Sequence, residues 1–291
     1  MKKLFAPLFL LLTLTLLSAT SLVYAYDDPV AYTGVNYQIY ENINLVGNGT
    51  GTGLTVSGSS HNSFYNVHIE NFSIGIFVDG GLANNWFNVQ IINNVDIGVQ
   101  LSNDYGVNRF FGGSISSNKG IGVQIDEGSI MNQFFGTEIE VNNITEVSFN
   151  GNTYGNLFEG VYFERTASTQ PQFFTWTNAL GSNTFYSNKF ATQGNSTLEI
   201  AGDSNIFRDN IFDSGTVTLT ITGDSNIFRD NRQGMTNAIV NINDNGVNTI
   251  FQANIFSGES PPLLTEFQAQ IVTLFVVIAI IGIIEETLRR R

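Results

Sequence analysis

Cysteine is absent, and His61 and His68 are the only histidines. No disulfide can staple this chain, so its stability must come from the fold itself. A zinc site, which draws on cysteine and histidine, is not expected. Lysine is scarce as well: beyond the first three residues only Lys119 and Lys189 occur. The 291 residues carry a net charge of −13, and residues 26–266 keep 7 of the 12 basic and 23 of the 25 acidic side chains. A nucleic-acid partner needs a basic footprint and is not expected here.

Long apolar runs are missing except at the two ends. Met1-Lys2-Lys3 is a basic start, FAPLFLLLTLTLL an apolar run, and Val23-Tyr24-Ala25 a small-residue cleavage site. This pattern predicts a signal peptide over 1–25, cut after Ala25. Residues 267–284 hold no charge and are followed by EETLRRR. About 20 apolar residues span a bilayer, and arginines after the span favour a cytoplasmic tail. The expected organisation is therefore a body over 26–258, a linker over 259–266, a transmembrane helix over 267–284 and a basic tail over 285–291. The body would be exported and anchored at the cell surface. Asn48, Asn71, Asn143 and Asn195 begin Asn-x-Ser/Thr acceptor sequences for glycans.

The body is rich in Asn, Gly and Phe. GDSNIFRDN occurs at 202–210 and again at 223–231, 21 residues on. Asn-x-aromatic extends this into a ruler. It begins at Asn62, Asn84, Asn108, Asn132 and Asn156 and continues at Asn183, Asn205 and Asn226, with a degenerate copy near Asn248. Periods of this length mean stacked units. Seven residues after a ruler Asn sit the apolar residues Ile69, Ile91, Ile115, Ile139, Phe163, Phe190, Phe212 and Ile255. Alternating pairs such as Val99/Leu101 and Leu219/Ile221 follow, and alternation is a strand signal. Each unit is expected to form three short strands with Asn-, Gly-, Asp- and Ser-rich turns. Stacked at ~4.8 Å, such units make an all-β, right-handed parallel β-helix, a solenoid of about nine coils. Like residues fall on like, so Phe stacks on Phe inside. Corner Asn can bond to the turns above and below and satisfy buried backbone. The repeated nonapeptide is expected at one corner of two adjacent coils. Residues 26–39 are expected to cap the first coil, and residues 166–182 form the largest insertion.

Asn-x-Phe-x-x-Asn-x-Phe over Asn205 to Phe212, Gly98-Val-Gln-Leu101, and LFEGVYFER at 157–165 resemble the repeat of the pectate-lyase-like superfamily. The likeness covers roughly residues 40–257. It implies the right-handed parallel β-helix, a fold that hosts lyases, hydrolases, epimerases and non-enzymes. The polygalacturonase motifs of that superfamily, and the Asp cluster with a basic residue used by its Ca²⁺-dependent lyases, are not found here. Glu266-Phe267, the apolar span and the terminal arginines resemble PEF-type sorting signals of archaeal surface proteins, although Thr265 stands where that signal has Pro. A plain membrane anchor is the alternative.

Three outward columns carry candidate chemistry. Offsets six and eight from the ruler Asn give Glu138, Glu140, Tyr162 and Glu164. Carboxyls ~5 Å apart raise one another's pKa or attract Ca²⁺, and retaining glycosidases hold theirs at about 5–5.5 Å. Glu138, Glu140 and Glu164 are the catalytic candidates, with Tyr162 beside them as a binding residue. Offset three gives Tyr65, Phe87, Phe111 and Phe135, a ring stripe that can bind sugar or join protomers. Asp126 lies on the Gly-Ile-x-Val strand face, and Trp176 in the insertion can close over either face. No cofactor is required beyond an optional Ca²⁺. The leading expectation is a surface protein that binds polysaccharide or glycan along one face. The alternatives are a polysaccharide lyase or glycoside hydrolase, and a structural or adhesive protein that oligomerises through the ring stripe.

Overall fold

A computed structural model describes the backbone of residues 24–26, 29–103, 106–166, 172–177, 180–234 and 238–256. The expected signal peptide up to residue 23, the linker, the apolar span and the basic tail lie outside these residues. Among the described residues no helix is long and apolar enough to cross a membrane.

The described chain is an all-β parallel solenoid of about nine coils. Every strand pairing is parallel, and each pairs one coil with the next. Three sheets run along its length. The first carries strands such as Ser63–Tyr65, Gln133–Phe135 and Ile227–Arg229. The second includes His68–Glu70, Glu138–Glu140 and Tyr162–Arg165. The third includes Thr52–Ser57, Ile97–Ser102 and Thr145–Asn150.

The three-residue strands of the first sheet each turn their middle residue inward. Ten rings from Tyr40 to Phe251 thereby form one continuous internal stack, with centroids 4.1–5.6 Å apart. Eight of them, Phe64 through Phe228, are fully buried. The alternating pairs of the third sheet, such as Val99/Leu101 and Leu198/Ile200, fill the opposite wall of the core.

At most corners an inward Asn is preceded by a residue with left-handed backbone, Asn108 being an exception. Ser204, with φ 57°, precedes Asn205, and Asp209, with φ 56°, precedes Asn210. Asn, Asp and Ser tolerate that region better than bulkier residues because their short side chains bond locally. The repeated nonapeptide therefore holds two corners, Ser204-Asn205 and Asp209-Asn210, flanking the strand Ile206–Arg208.

The corner asparagines build three ladders. The ruler Asn form the first: Asn62 N donates to Asn84 Oδ1 at 3.0 Å, and the chain of bonds continues to Asn226. Asn188, Asn210, Asn231 and Asn254 form the second. Asn94, Asn118 and Asn142 form the third. All twelve of these ladder links run between buried groups, where an unmade bond would cost about 1–3 kcal/mol.

The third ladder stands beside a column of glycines, Gly75, Gly98 and Gly122. A Cβ on Gly98 would meet Asn118 Nδ2 at 2.7 Å and a Cβ on Gly122 would meet Asn142 Nδ2 at 2.5 Å. The next position in this column is Glu146, and the ladder ends there. Asn142 donates to Glu146 Oε2 through Nδ2 at 2.5 Å and through its backbone N–H at 3.4 Å. The carboxylate thus accepts what the next asparagine would have accepted. Arg165 Nη1 meets Glu146 Oε1 at 2.9 Å and also donates to Asn142 O. Both charged side chains are essentially without solvent access. Burial pushes the Glu146 carboxyl up to about 8, against the opposing charge of Arg165 and the hydrogen bonds from Asn142 and Arg165.

Several details differ from the sequence expectation. Coils do not always have three short strands: Lys189–Ile200 and Ile211–Ile221 each run through the second and third sheets, the corner between them replaced by a register shift. Within the segment expected to cap the first coil, Val30–Thr33 is a strand of the third sheet paired with Thr52–Ser57. Part of the insertion, Gln172–Thr177, supplies a strand paired with Thr145–Asn150 in the third sheet. In the degenerate last coil the inward residue is Phe256, while Ile255 is 71% exposed.

Candidate functional site

The second sheet places the acidic candidates on its outer face because Ile139 and Phe163 alternate inward. Glu138 pairs with Tyr162 and Glu140 with Glu164 on adjacent coils. Ser114 and Ser116 lie one coil before them, and Lys189 lies one coil after Tyr162. All three carboxylates and the tyrosine are therefore brought together on one face.

Hydrogen bonds order this face. Tyr162 Oη donates to Glu164 Oε2 at 2.9 Å, and Gln193 Nε2 approaches Glu164 Oε1 at 3.4 Å. Lys189 Nζ is 2.6 Å from Asp213 Oδ2 and lies 5.5 Å from the centre of the Tyr162 ring. The Glu140 carboxyl is raised by partial burial and then by the charges of Glu138 and Glu164. The Tyr162 hydroxyl is raised by burial, by its bond to Glu164 and by the surrounding carboxylates. Tyr162 is thus held as a neutral donor, and Glu140 takes up a proton more readily than a free carboxyl. The set can accept and donate hydrogen bonds to hydroxyl-bearing ligands and can hold a proton at Glu140. Among the described residues, no three His, Cys, Asp or Glu side chains are grouped to hold a metal ion.

Asp126 sits on the third sheet, apart from this set. Its carboxylate accepts from Gln100 Nε2 at 2.7 Å, Gln124 Nε2 at 2.8 Å and Asn150 Nδ2 at 3.0 Å. Three amides clasp it, which makes a rigid polar plate. Trp176 belongs to the strand Gln172–Thr177. Its ring stacks on Phe149 at 4.3 Å and its Nε1 donates to Glu199 O at 2.5 Å. It does not hang from a free loop over the acidic face.

Tyr65, Phe87, Phe111 and Phe135 line the outer face of the first sheet, half-buried and stacked at 4.6, 4.9 and 5.2 Å. Interplanar angles of 7°, 8° and 12° leave the rings nearly parallel. Both faces of Phe87 and of Phe111 are therefore covered by neighbouring rings, and the stripe offers ring edges to its surroundings. A sugar stacks on an open ring face, so the inner rings of this stripe offer it no platform.

Sequence reasoning missed Lys189 and Asp213 at the acidic face. Lys189 stands six residues after Asn183, so continuing the offset-six column by one coil would have found it. It also missed Glu146 and Arg165. The break in the Gly75, Gly98, Gly122 column was the available signal.

No family model matches the chain, and no curated protein matches it. Solved structures similar to it include the alginate lyase from Paenibacillus sp. str. FPU-7, at 13% identity and a TM-score of 0.45, covering 80% of this chain and 91% of that one. The Agl-KA catalytic domain is similar at 13% identity and a TM-score of 0.41, covering 79% of this chain and 62% of that one. The catalytic unit of the GH87 α-1,3-glucanase from Streptomyces thermodiastaticus strain HF3-3 is similar at 11% identity and a TM-score of 0.35, covering 80% and 62%.

Proposed function

We propose that this chain binds a polysaccharide along the outer face of its second sheet, on the set Glu138, Glu140, Tyr162 and Glu164. The observation that carries the reading is the ordered Tyr162–Glu164 donor–acceptor pair beside Glu140 on adjacent coils. A flat parallel sheet repeats its polar groups every ~4.8 Å. A sugar polymer lying along the axis therefore meets a fresh row of donors and acceptors at each coil.

The charge of the face narrows the ligand. Glu138, Glu140 and Glu164 are joined by one cation, Lys189, which Asp213 already engages at 2.6 Å. Uronate polymers are disfavoured by like charge, and neutral or amine-bearing glycans are preferred. In this proposal the solenoid is exported and held at the cell surface by residues 267–284.

A second reading is favoured by the raised Glu140 carboxyl. Glu140 is paired with Glu164 on the adjacent coil, and two neighbouring carboxyl groups are the set that glycoside hydrolysis uses. One experiment tests both readings. The full chain is passed over neutral, amine-bearing and uronate polysaccharides, with and without Ca²⁺, and both retention and polymer length are recorded. Retention on neutral or amine-bearing polymers without shortening is the expected result. Shortening would establish the enzyme reading. Failure to be retained by any polymer would overturn the binding proposal.

A further inference from the structure

The outer face of the first sheet is not used by the proposed glycan site. Its central column is continuous in register over ten stacked strands: Glu41, Tyr65, Phe87, Phe111, Phe135, Glu159, Tyr186, Arg208, Arg229 and Gln252. The column is ordered by charge. The carboxylate of Glu41 starts it, four rings follow, Glu159 stands between Phe135 and Tyr186, and two arginines lie near its end. Exposed isoleucines flank both ends, Ile39 at 68% and Ile250 at 51%.

We propose that this face joins two copies of the chain as an antiparallel two-fold dimer centred on Phe135. The edge-on ring stripe makes a flat apolar surface, and contiguous apolar surface of this kind marks an interaction site. Ten stacked strands at ~4.8 Å and a width of roughly 15 Å give ~700 Å² per partner, near the ~800 Å² of a standard interface.

Charge decides the direction. A two-fold axis along the solenoid would set each level against itself, so Glu41 would face Glu41 and Arg229 would face Arg229. Like charges directly opposed are destabilising. A two-fold axis across the solenoid at Phe135 sets level one against level nine. Glu41 then faces Arg229 of the partner subunit, and Tyr65 faces Arg208 of the partner subunit. Arg208 already lies over a ring within its own chain, 5.2 Å from the centre of Tyr186, and a second ring offers it a further cation–π contact. Phe87 faces Tyr186 of the partner subunit, and Phe111 faces Glu159 of the partner subunit, beside the level of Arg109. Asp209 and Asp230 hold the two arginines at 2.9 Å from their corner positions, which keeps the guanidinium groups on the face. In the flanking column, the exposed Ile39 meets Ile227 of the partner subunit.

The absence of cysteine gives a clean test. Gln133 is half-buried, points outward and lies at the level of the two-fold axis. The full chain in detergent with Gln133→Cys should form a covalent dimer on treatment with a short bismaleimide. Glu41→Cys should not cross-link to itself but should cross-link when mixed with Arg229→Cys. Sedimentation of the unmodified chain should give twice the monomer mass, and Arg229→Glu should lose most of the dimer, restored by adding Glu41→Arg. Glycan retention should be unchanged in Arg229→Glu, which separates this interface from the glycan site. A monomer at all concentrations, no covalent dimer from Gln133→Cys, or self-cross-linking of Glu41→Cys would each overturn the proposal.

Discussion

Replacing Glu146 by Gln tests which force governs the buried ion pair. Two terms compete at Glu146. Burial disfavours the charged carboxylate, while Arg165 at 2.9 Å favours it. Burial is the larger, and the carboxyl rises from 4.5 to about 8. A raised acid binds its proton more tightly folded than unfolded. Its contribution to stability is therefore complete below pH 4.5 and is lost as pH climbs through about 8. Each pH unit in that window is worth about 1.4 kcal/mol, so the full span amounts to roughly 5 kcal/mol. Gln reproduces the shape of the protonated acid and does not titrate. Denaturant midpoints of the full chain and of Glu146→Gln, taken at pH 5, 7 and 9, isolate this one group, because the titration of every other group cancels in the difference. The two proteins should be close in stability at pH 5, and the Gln variant should be the more stable at pH 9. If Coulomb attraction governed instead, the order would invert, and the Gln variant would be weaker at pH 9 by about 3–5 kcal/mol. That inversion would refute the reasoning.

The ladders make two further predictions. Asn118→Ala leaves the N–H and the Nδ2 of Asn94 without the oxygen that both use. Two orphaned buried donors cost about 2–6 kcal/mol, readable as a lowered denaturation midpoint. Asn66→Ala breaks a link of the same kind on the surface and places Ala at φ 54°, so about 1–2 kcal/mol is expected. Equal losses at the two sites would remove burial as the reason ladders stabilise the coil. Gly122→Ala puts a Cβ 2.5 Å from Asn142 Nδ2 and 2.7 Å from Glu146 O. It should cost about 1–3 kcal/mol by overpacking, whereas Gly136→Ala, whose Cβ would meet nothing within 4 Å, should cost only the strain of φ 58°.

What the sequence disclosed was whatever recurs. The first ladder and the ring stack share one short signature, Asn-x-aromatic, and that signature recurs in nearly every coil. Alternation in the third sheet was equally plain, since Val99/Leu101 are buried while the outward residues between and after them are half-buried. The third ladder was hidden because Asn94, Asn118 and Asn142 sit in turns already full of Asn, Gly and Ser, where a buried asparagine looks like any turn former. Glu146 and Arg165 were hidden because each occurs once. The merged strand Lys189–Ile200 was hidden because losing a corner leaves both flanking strands still alternating. At the candidate site, offset from the ruler Asn brought Glu138, Glu140, Tyr162 and Glu164 to one face. Ring orientation in the outward stripe is a property of stacking between coils, which no offset reveals.

The most direct test of glycan binding on the second sheet compares the full chain with Tyr162→Phe combined with Glu164→Gln, on a neutral or amine-bearing polysaccharide that retains the unmodified protein. Both substitutions keep shape and leave the buried neighbours Phe163 and Ile139 untouched. They remove the ordered donor–acceptor pair and one charge. Retention should fall by tenfold or more, since two hydrogen bonds with a charged partner are worth about 1.5–3 kcal/mol each, while the denaturation midpoint stays within about 0.5 kcal/mol of the parent. Undiminished retention by a folded double variant would contradict the placement of the glycan on this face.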